Sequence, residues 1–239
     1  MNGIDRLSAI TNRSTSVIIA EQLTDRIVDG SFRPGEQINE AHVASQLNVS
    51  RGPVREALQR LVQEGLLISK PNRGVFVREL TATDVAEIYV AREVIECASA
   101  EIIVARASEE RAITAAELEA IVDRMVPLIA AEDWRAVSRL DLAFHTRLVE
   151  ASGNMRLHRA YLTLATETLI CMSNLEQAYP YSNPGGIADG HRGIARLVGT
   201  GDMAEIRDAL HRHLSSADDY LSSAVDAKLR NGTDVRDVV

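Results

Sequence analysis

The chain has 239 residues, of which 46% are hydrophobic and 25% are charged, so it can bury one large core or two ordinary ones. Its formal net charge of −8 argues against an overall basic nucleic-acid-binding protein. The charge is uneven: residues 1–78 hold 10 Lys+Arg against 8 Asp+Glu, and the remainder holds 16 against 26. Residues 1–78 are therefore slightly basic, whereas the remainder, called the body below, is acidic. This difference indicates two domains with different partners.

The cysteine pattern and the hydropathy of the chain favour a cytoplasmic protein. Cys97 and Cys171 are isolated, so they offer neither a zinc-finger spacing nor a disulfide framework, and they fit a reducing compartment. The first residues, MNGIDRLSAI, lack the apolar run of a signal peptide. No apolar stretch approaches the roughly 20 residues that a membrane helix needs.

The first 78 residues read as three short helices followed by a hairpin. A helix over residues 14–29 can be capped by Ser14 or Ser16, and NEAHVASQLN predicts a short second helix. VSRGPVREALQRLVQEGLL predicts a third helix with Ser50 as its N-cap. Two β-prone runs, residues 67–69 and 75–77, flank a Pro-Asn-Arg-Gly turn. This order is typical of a winged helix-turn-helix.

From residue 81 onwards the pattern is helical throughout. It predicts six helices at roughly 82–107, 115–131, 134–151, 155–179, 186–198 and 203–230. Capping-box patterns at Thr114–Glu117 and Asp202–Glu205 mark two helix starts, and Tyr179–Gly186 is the longest predicted loop. The predicted fold is therefore mainly α, with an N-terminal winged helix-turn-helix at residues 10–78 and a C-terminal all-α bundle at residues 79–232.

Polar residues of the third helix and of the hairpin are candidates for DNA contact. Arg51 and Arg55 lie one turn apart on one helix face, and arginine suits guanine edges and phosphates. Two arginines alone could equally form a solvated helix face. The N-cap, the turn, the wing and the local positive charge favour DNA. Ser50 can donate to a phosphate, and the wing adds Lys70, Arg73 and Gly74.

The same segment resembles a known family. PGEQINEAHVASQLNVSRGPVREALQRLVQEGLLISKPNRGVFV is similar to the winged-helix domain of the GntR family of bacterial transcription regulators, with VSRGPVREAL as the most characteristic part. The resemblance implies that Arg51 and Arg55 contact an operator. It also implies that Ser50, Gly52 and Gly74 lie near the DNA backbone. Gly52 often corresponds to threonine in that family and supplies no hydroxyl here.

In the body, four side chains that can bind a metal lie on the apolar faces by which three helices should pack into the core. Asp141 and His145 lie within the stripe of one helix, and His191 and His213 fill positions in the stripes of two others. A single inward histidine, or an Asp–His pair, is most often a hydrogen-bonded core group. Four such groups would each be costly to bury without partners. A divalent cation such as Zn, Ni, Mn or Fe(II) would satisfy all four.

The body also resembles a known domain. DLAFHTRLVEASGN, HRGIARLVGTGD and HRHL are similar to the FCD effector-binding domain of the FadR-like subgroup of GntR regulators, in its shorter, VanR-type form with six helices. Many members of that family bind a metal through one Asp and three His. The resemblance therefore implies the ligands Asp141, His145, His191 and His213.

A small organic acid is the effector that this resemblance implies. Arg92 is a second inward charge, which could form an ion pair with Glu96 or Glu93, or could clamp a carboxylate. Asn174 is a further candidate for lining the pocket.

Three hypotheses follow. The leading one is a regulator, a repressor, that binds a palindromic operator as a homodimer and responds to a carboxylate metabolite. The second is a metal-dependent hydrolase, for which the sequence offers no HExxH motif. The third is a metal-free sensor in which the four polar residues form a hydrogen-bonded pocket. We expect no enzymatic activity.

Overall fold

The computed structural model describes residues 14–174 and 184–233, and within them the chain forms nine helices and three short strands. The winged helix-turn-helix comprises α1 (Thr15–Val28), β1 (Gln37–Ile38), α2 (Glu40–Gln46), α3 (Arg51–Gln63), β2 (Leu67–Lys70) and β3 (Gly74–Val77). Its helices begin where the sequence predicts. Ser14 caps α1 by accepting from the Val17 amide, and Asn39 caps α2 by accepting from the His42 amide.

The predicted hairpin is present, and it carries a third strand that the sequence analysis missed. β2 and β3 pair antiparallel, with Leu67 opposite Val77 and Lys70 opposite Gly74. β1 adds to the free edge of β3, so the sheet order is β1-β3-β2. The Gln37 side-chain amide of β1 also donates to the Arg73 carbonyl over 2.7 Å. The third strand therefore anchors the tip of the wing as well as its edge.

The body consists of six helices in the described part of the chain, as predicted. They are α4 (Ala82–Val104), α5 (Ser108–Ala130), α6 (Trp134–Ala151), α7 (Met155–Asn174), α8 (Pro184–Thr200) and α9 (Met203–Thr233). The start predicted for α5 is wrong. Thr114 is buried in the helix interior, where its hydroxyl donates to the Glu110 carbonyl. Residues 179–183 of the predicted loop lie outside the described residues, and residues 184–186 belong to α8 instead.

The helix starts at Thr81 and Asp202 show how local sequence sets the body boundaries. Thr81 and Asp84 form a reciprocal capping box at the start of α4. Asp202 accepts from the amides of Ala204 and Glu205 at the start of α9, as predicted. None of the helices in the two described ranges combines the length and the apolar character that a membrane crossing requires.

Two large apolar clusters, and a small third one around Val149, Tyr161 and Ala165, hold the described residues together. One large cluster lies inside the body and packs buried side chains of α4, α5, α6, α8 and α9, among them Phe144, Leu148, Ile194 and Leu210. The other large cluster is shared between the winged helix-turn-helix and the body, because Ile170 of α7 and Leu221 of α9 belong to the same buried cluster as the apolar side chains of α1 and α3. The helices of the body therefore pack directly on the winged helix-turn-helix.

A polar contact lies beside this shared cluster. Glu167 of α7 is largely buried, and its Oε1 accepts from Arg78 Nη1 over 2.6 Å, directly after the wing. Burial raises the pKa of Glu167, and the charge of Arg78 opposes that shift. The same carboxylate lies against Gly65, which follows α3 with a φ of +84°. α7 thus contacts the junction between the third helix and the wing.

A Gly65→Ala change should destabilise the protein more than a Gly30→Ala change. Both glycines have a positive φ, which costs alanine about 1–2 kcal/mol. A Cβ at Gly65 would also lie 2.9 Å from Glu167 Oε1, so the carboxylate would have to move away from Arg78. A Cβ at Gly30 meets nothing within 4 Å. Chemical denaturation measures the loss in the free energy of unfolding for each variant. Equal losses would show that the contact with Glu167 adds nothing to the cost at Gly65.

Candidate functional site

Four polar side chains from three helices of the body converge at one point. Asp141 and His145 come from α6, His191 from α8 and His213 from α9, and one ligand atom from each lies within 4.8 Å of the other three. His145 and His191 are fully buried, and the Asp141 side chain is 14% exposed. The structure therefore brings together all four residues that the helix stripes single out, which creates a dense polar cluster inside an apolar core.

The ring of Phe144 packs against two of the histidine rings of the cluster. Phe144 lies between Asp141 and His145 in sequence and is fully buried. Its ring packs edge-on against His191, with 4.7 Å between ring centroids, and against His145, with 5.3 Å. The rings of His191 and His213 are 4.4 Å apart. Such tight packing leaves the imidazoles little rotational freedom, so their nitrogens keep fixed directions.

Hydrogen bonds at the outer ring nitrogens indicate which nitrogen faces the cluster centre. His191 Nδ1 lies 2.8 Å from the Ile187 carbonyl, which can only accept, so Nδ1 carries the proton. His145 Nδ1 lies 2.6 Å from Glu96 Oε2 and donates in the same way. In the neutral form of both residues Nε2 then holds a lone pair. This arrangement of outer partners is typical of metal-binding histidines.

The inward nitrogens are close together, and one of them lacks a hydrogen-bond partner among the described residues. His145 Nε2 and His213 Nε2 face each other over 3.1 Å. His191 Nε2 lies 3.0 Å from Asp141 Oδ1, but it is buried without a partner in hydrogen-bonding geometry among the described side chains. Buried polar atoms are normally paired. Three imidazole nitrogens and a carboxylate around one point therefore form a donor set that fits a divalent cation.

The protonation states of the cluster agree with that chemistry. Burial lowers the pKa of His213 well below its ordinary value, and the neighbouring histidines shift it in the same direction. Burial alone would raise the pKa of Asp141, but the close contact with His191 brings it below its ordinary range. A neutral imidazole and an ionised carboxylate are the forms in which these side chains bind metals.

Beside the cluster, α4 contributes a buried polar stripe. Arg92 is 1% exposed, and its Nε donates to Glu96 Oε1 over 3.2 Å. Of the two ion-pair partners considered for Arg92, the structure pairs it with Glu96. Glu93 contacts His211 instead. Arg92 Nη2 and the Ser99 hydroxyl remain buried without a hydrogen-bond partner in the described part of the chain. One edge of the guanidinium is thus left for another acceptor.

From the sequence, Glu96 was expected only as a possible ion-pair partner of Arg92, and Tyr161 was not predicted to lie near the site. Glu96 is fully buried and accepts from Arg92, from His145 and from the Tyr161 hydroxyl, the last over 2.9 Å. Its position one turn after Arg92 was the available signal, because residues four apart share a helix face. Asn174 is the last residue of α7, and its side chain lies outside the described part of the structure.

The candidate DNA-contacting residues of α3 are exposed at the helix start. Ser50 occupies the N-cap position, but its hydroxyl makes no capping hydrogen bond. Arg51, Gly52 and Arg55 follow on the solvent side, because Val54 and Leu58 are buried on the opposite side. The side chain of Arg51 has no ion pair with any described residue, so its guanidinium is available to a ligand.

Arg55 differs from Arg51 because it is paired. Its Nη2 and Nε donate to the two carboxylate oxygens of Glu40 over 2.8 and 3.2 Å. This hydrogen bonding raises the pKa of Arg55 and lowers that of Glu40. The pair joins the start of α2 to the start of α3. The third guanidinium nitrogen of Arg55, Nη1, makes no contact with Glu40.

In the wing, the three candidate residues have different surroundings. The Lys70 ammonium lies over the Phe76 ring, 4.7 Å from its centroid. Arg73 is exposed at the tip. Gly74 has a φ of +99°, and a Cβ there would lie 2.9 Å from the Gln37 side-chain amide. The backbone of the wing therefore requires glycine at this position, in addition to any need for a close approach to DNA.

Comparison with known protein families gives two matches that together span most of the chain. A model described as "Bacterial regulatory proteins, gntR family" matches residues 15–77, which contain the winged helix-turn-helix. A model described as "FCD domain" matches residues 87–216, which contain the four-residue cluster.

Several curated proteins are similar to this chain. The uncharacterised HTH-type transcriptional regulator YdhC of Bacillus subtilis (strain 168) is 38% identical over 57% of this chain and 60% of its own length. The Nta operon transcriptional regulator of Aminobacter aminovorans is 38% identical over 53% and 58%. These matches thus span about three fifths of each relative. A probable D-xylose utilization operon transcriptional repressor of Paenarthrobacter nicotinovorans is 27% identical over 94% of this chain and 99% of its own length.

Solved structures share the fold. A GntR transcriptional regulator from Rhodococcus sp. RHA1 superposes with a TM-score of 0.73 and 29% identity, over 89% of this chain and 99% of that chain. McbR/YncC of E. coli superposes with a TM-score of 0.75, 20% identity and the same coverage of both chains. The second likeness concerns the fold alone.

Proposed function

Because the chain belongs to the GntR family of bacterial regulatory proteins and carries an FCD domain, we propose that it is a metal-dependent, effector-controlled DNA-binding transcription regulator. The observation that carries this proposal is the combination of two features. One is an exposed arginine at the start of α3, and the other is a buried cluster of three histidines and one aspartate in the body.

The DNA-binding part is the winged helix-turn-helix of residues 10–78. The start of α3 enters the major groove, where Arg51 reads base edges and Arg55 contacts DNA through its free Nη1. Ser50 and Gly52 lie near phosphates, together with Lys70, Arg73 and Gly74 of the wing. A homodimer of this chain would place two such helices about 34 Å apart on a palindromic operator. Residues 79–232 form the effector-binding and dimerisation part.

The metal-binding part is the four-residue cluster. Asp141, His145, His191 and His213 would hold a divalent cation, and the mixture of imidazole and carboxylate suits Zn, Ni, Mn or Fe. When bound, the cation supplies a positive Lewis-acid centre that attracts an organic acid. The unpartnered Nε2 of His191 and the short distance between Nε2 of His145 and Nε2 of His213 support this assignment.

The effector we propose is a small carboxylate. Arg92 presents a buried, unpartnered Nη2 beside the cluster, and a planar guanidinium binds carboxylates well. Asn174, at the end of α7, is a further candidate contact. α7 itself links the two parts, since Tyr161 bonds to Glu96 near the cluster and Glu167 bonds to Arg78 beside the wing. An effector that favours one position of α7 would change operator affinity.

Two observations rank the alternatives. A metal-free sensor could pair His145 Nε2 with His213 Nε2 in one hydrogen bond at 3.1 Å, but it would leave His191 Nε2 buried without a partner, which a cation resolves. A metal-dependent hydrolase would leave the exposed arginine face without a role. The Paenarthrobacter nicotinovorans relative, which is named as an operon repressor, supports repression as the sign of regulation.

Gel shifts with fragments of the source genome test the proposal. A subset of fragments should be retained at physiological salt, and the affinity should fall steeply as salt rises. A protein that makes 6–10 phosphate contacts loses about 10³- to 10⁵-fold between 50 and 200 mM salt. Adding EDTA and then a divalent metal shows whether the cluster controls the affinity. Binding that does not discriminate between fragments, or no binding at all, would contradict a sequence-specific regulator.

A further inference from the structure

We propose that Glu96 is a positioning residue that joins the metal-binding His145 to Arg92, so that a change at Arg92 also reaches the metal site. This inference rests on the metal site proposed above. Glu96 lies in the middle of α4 and has no solvent exposure. Its two carboxylate oxygens have different hydrogen-bond partners: Oε2 accepts from His145, and Oε1 accepts from Arg92 and Tyr161.

The contact to His145 sets the direction and the tautomer of a metal ligand. The distance of 2.6 Å from His145 Nδ1 to Glu96 Oε2 holds the proton on Nδ1. Nε2 is then the lone-pair nitrogen, and it is the atom that faces His213. A carboxylate in this outer position also increases the electron-donating strength of the imidazole. Glu96 thereby acts on the cation through His145 without touching it.

The contacts to Arg92 and Tyr161 hold the carboxylate in place. Arg92 donates through Nε, and Tyr161 donates through its hydroxyl from α7. Since Glu96 and Arg92 are both fully buried, each supplies the counter-charge that the other needs. The Nε contact also fixes the plane of the guanidinium, with Nη2 left unpartnered. One carboxylate therefore orients a metal ligand from α6 and the anion-binding arginine of α4.

A structural ion pair and a positioning residue predict different results. If Glu96 only stabilises the fold, its loss should lower the unfolding midpoint of the metal-free protein and leave the metal site unchanged in the molecules that remain folded. If Glu96 positions His145, its loss should weaken metal binding and alter the geometry at the metal. A change at Arg92 should then also reach the metal, but only while Glu96 is present.

The experiment titrates Co²⁺ into metal-free wild-type protein and into Glu96→Gln, and follows the visible absorption of the bound ion. Glutamine keeps the size of the side chain but removes its charge. We expect the affinity of Glu96→Gln for Co²⁺ to fall by about 10- to 100-fold, with a changed spectrum. Glu93→Gln is the matched control, because Glu93 lies on the same helix and contacts the exposed His211. It should bind Co²⁺ like the wild type.

A double-mutant cycle with Arg92→Lys tests the link itself. Arg92→Lys should weaken Co²⁺ binding in the wild-type background, and this effect should shrink by at least about threefold in the Glu96→Gln background. If Glu96→Gln does not fold, Tyr161→Phe removes a single donor to the same carboxylate and should still weaken Co²⁺ binding.

The outcomes separate the two proposals. Equal Co²⁺ affinity and spectrum in the wild type and in Glu96→Gln would overturn the role of Glu96, as would unchanged binding in Tyr161→Phe when Glu96→Gln cannot be prepared. Additive effects of Arg92→Lys and Glu96→Gln would overturn the link. A wild-type protein that binds no Co²⁺ would instead contradict the metal site of the proposed function.

Discussion

A His191→Ala variant should be purified without stoichiometric divalent metal, whereas the wild-type protein should retain it. His191 is fully buried, and its Nε2 lies against Asp141 without a hydrogen-bond partner among the described residues. Alanine would remove one of four ligands and leave a cavity beside Phe144. Losing an outer-shell partner already costs about 10- to 100-fold in metal affinity, so the loss of a ligand should exceed that range.

The matched control is His211→Ala. His211 lies on α9 with His213, but it is exposed and contacts Glu93 rather than the cluster. Elemental analysis after desalting should find metal in the wild type and in His211→Ala, and much less in His191→Ala. Added metal should also raise the unfolding temperature of the first two proteins, since a ligand at 100 times its Kd stabilises by about 2.7 kcal/mol.

Two other results would count against the ligand assignment. Metal that survives His191→Ala at the wild-type level would show that the ion binds elsewhere. Metal absent from all three proteins, with sequence-specific DNA binding intact, would favour the metal-free sensor.

Helix periodicity was enough to predict the centre of the site. Asp141, His145, His191 and His213 each occupy a position in an apolar stripe, and an inward stripe of a short helix must face the same core as its neighbours. What periodicity cannot supply is the rotation of one helix against another. The sequence therefore could not show that the ring nitrogens meet at one point, or which nitrogen of each ring faces inward.

Glu96 and Glu40 show why parts of the polar network were missed. Glu96 was one of two acidic residues considered for Arg92, and only Glu96 lies one turn away on the same helix face. The structure distinguishes them because Glu96 points to α6 and α7, whereas Glu93 points to α9. Glu40 and Arg55 are 15 residues apart on different helices. Their pairing depends on the angle between α2 and α3, which no local pattern encodes.

The differences in the fold have equally local causes. β1 is two residues long, too short for any alternation to be recognised, and it forms because the free edge of β3 accepts it. The start of α5 was misplaced because Thr114–Glu117 matches a capping box. In the folded protein the Thr114 hydroxyl bonds to a carbonyl of the preceding turn, which threonine also does inside helices.

An Arg51→Ala variant should lose most of its sequence-specific DNA binding. Arg51 is exposed at the start of α3 and has no ion pair within the described residues, so its whole guanidinium can meet the DNA. A good bidentate contact to a base contributes about 1–3 kcal/mol of discrimination, which corresponds to about 5- to 150-fold. Arg55 is less suitable for this test. Two of its nitrogens already contact Glu40, so removing Arg55 would also leave that carboxylate unpaired.

Arg60→Ala is the matched control, because Arg60 is an exposed arginine on the same helix that pairs with Glu64 at its far end. Both variants lose one positive charge, so the general attraction to phosphates falls by a similar amount. Gel shifts with a fragment that the wild type retains, and with an unrelated competitor, separate the two effects. Arg51→Ala should lose the preference for the retained fragment, and Arg60→Ala should keep it. If both variants keep the preference, Arg51 does not read the operator, and the recognition surface must lie elsewhere on the winged helix-turn-helix.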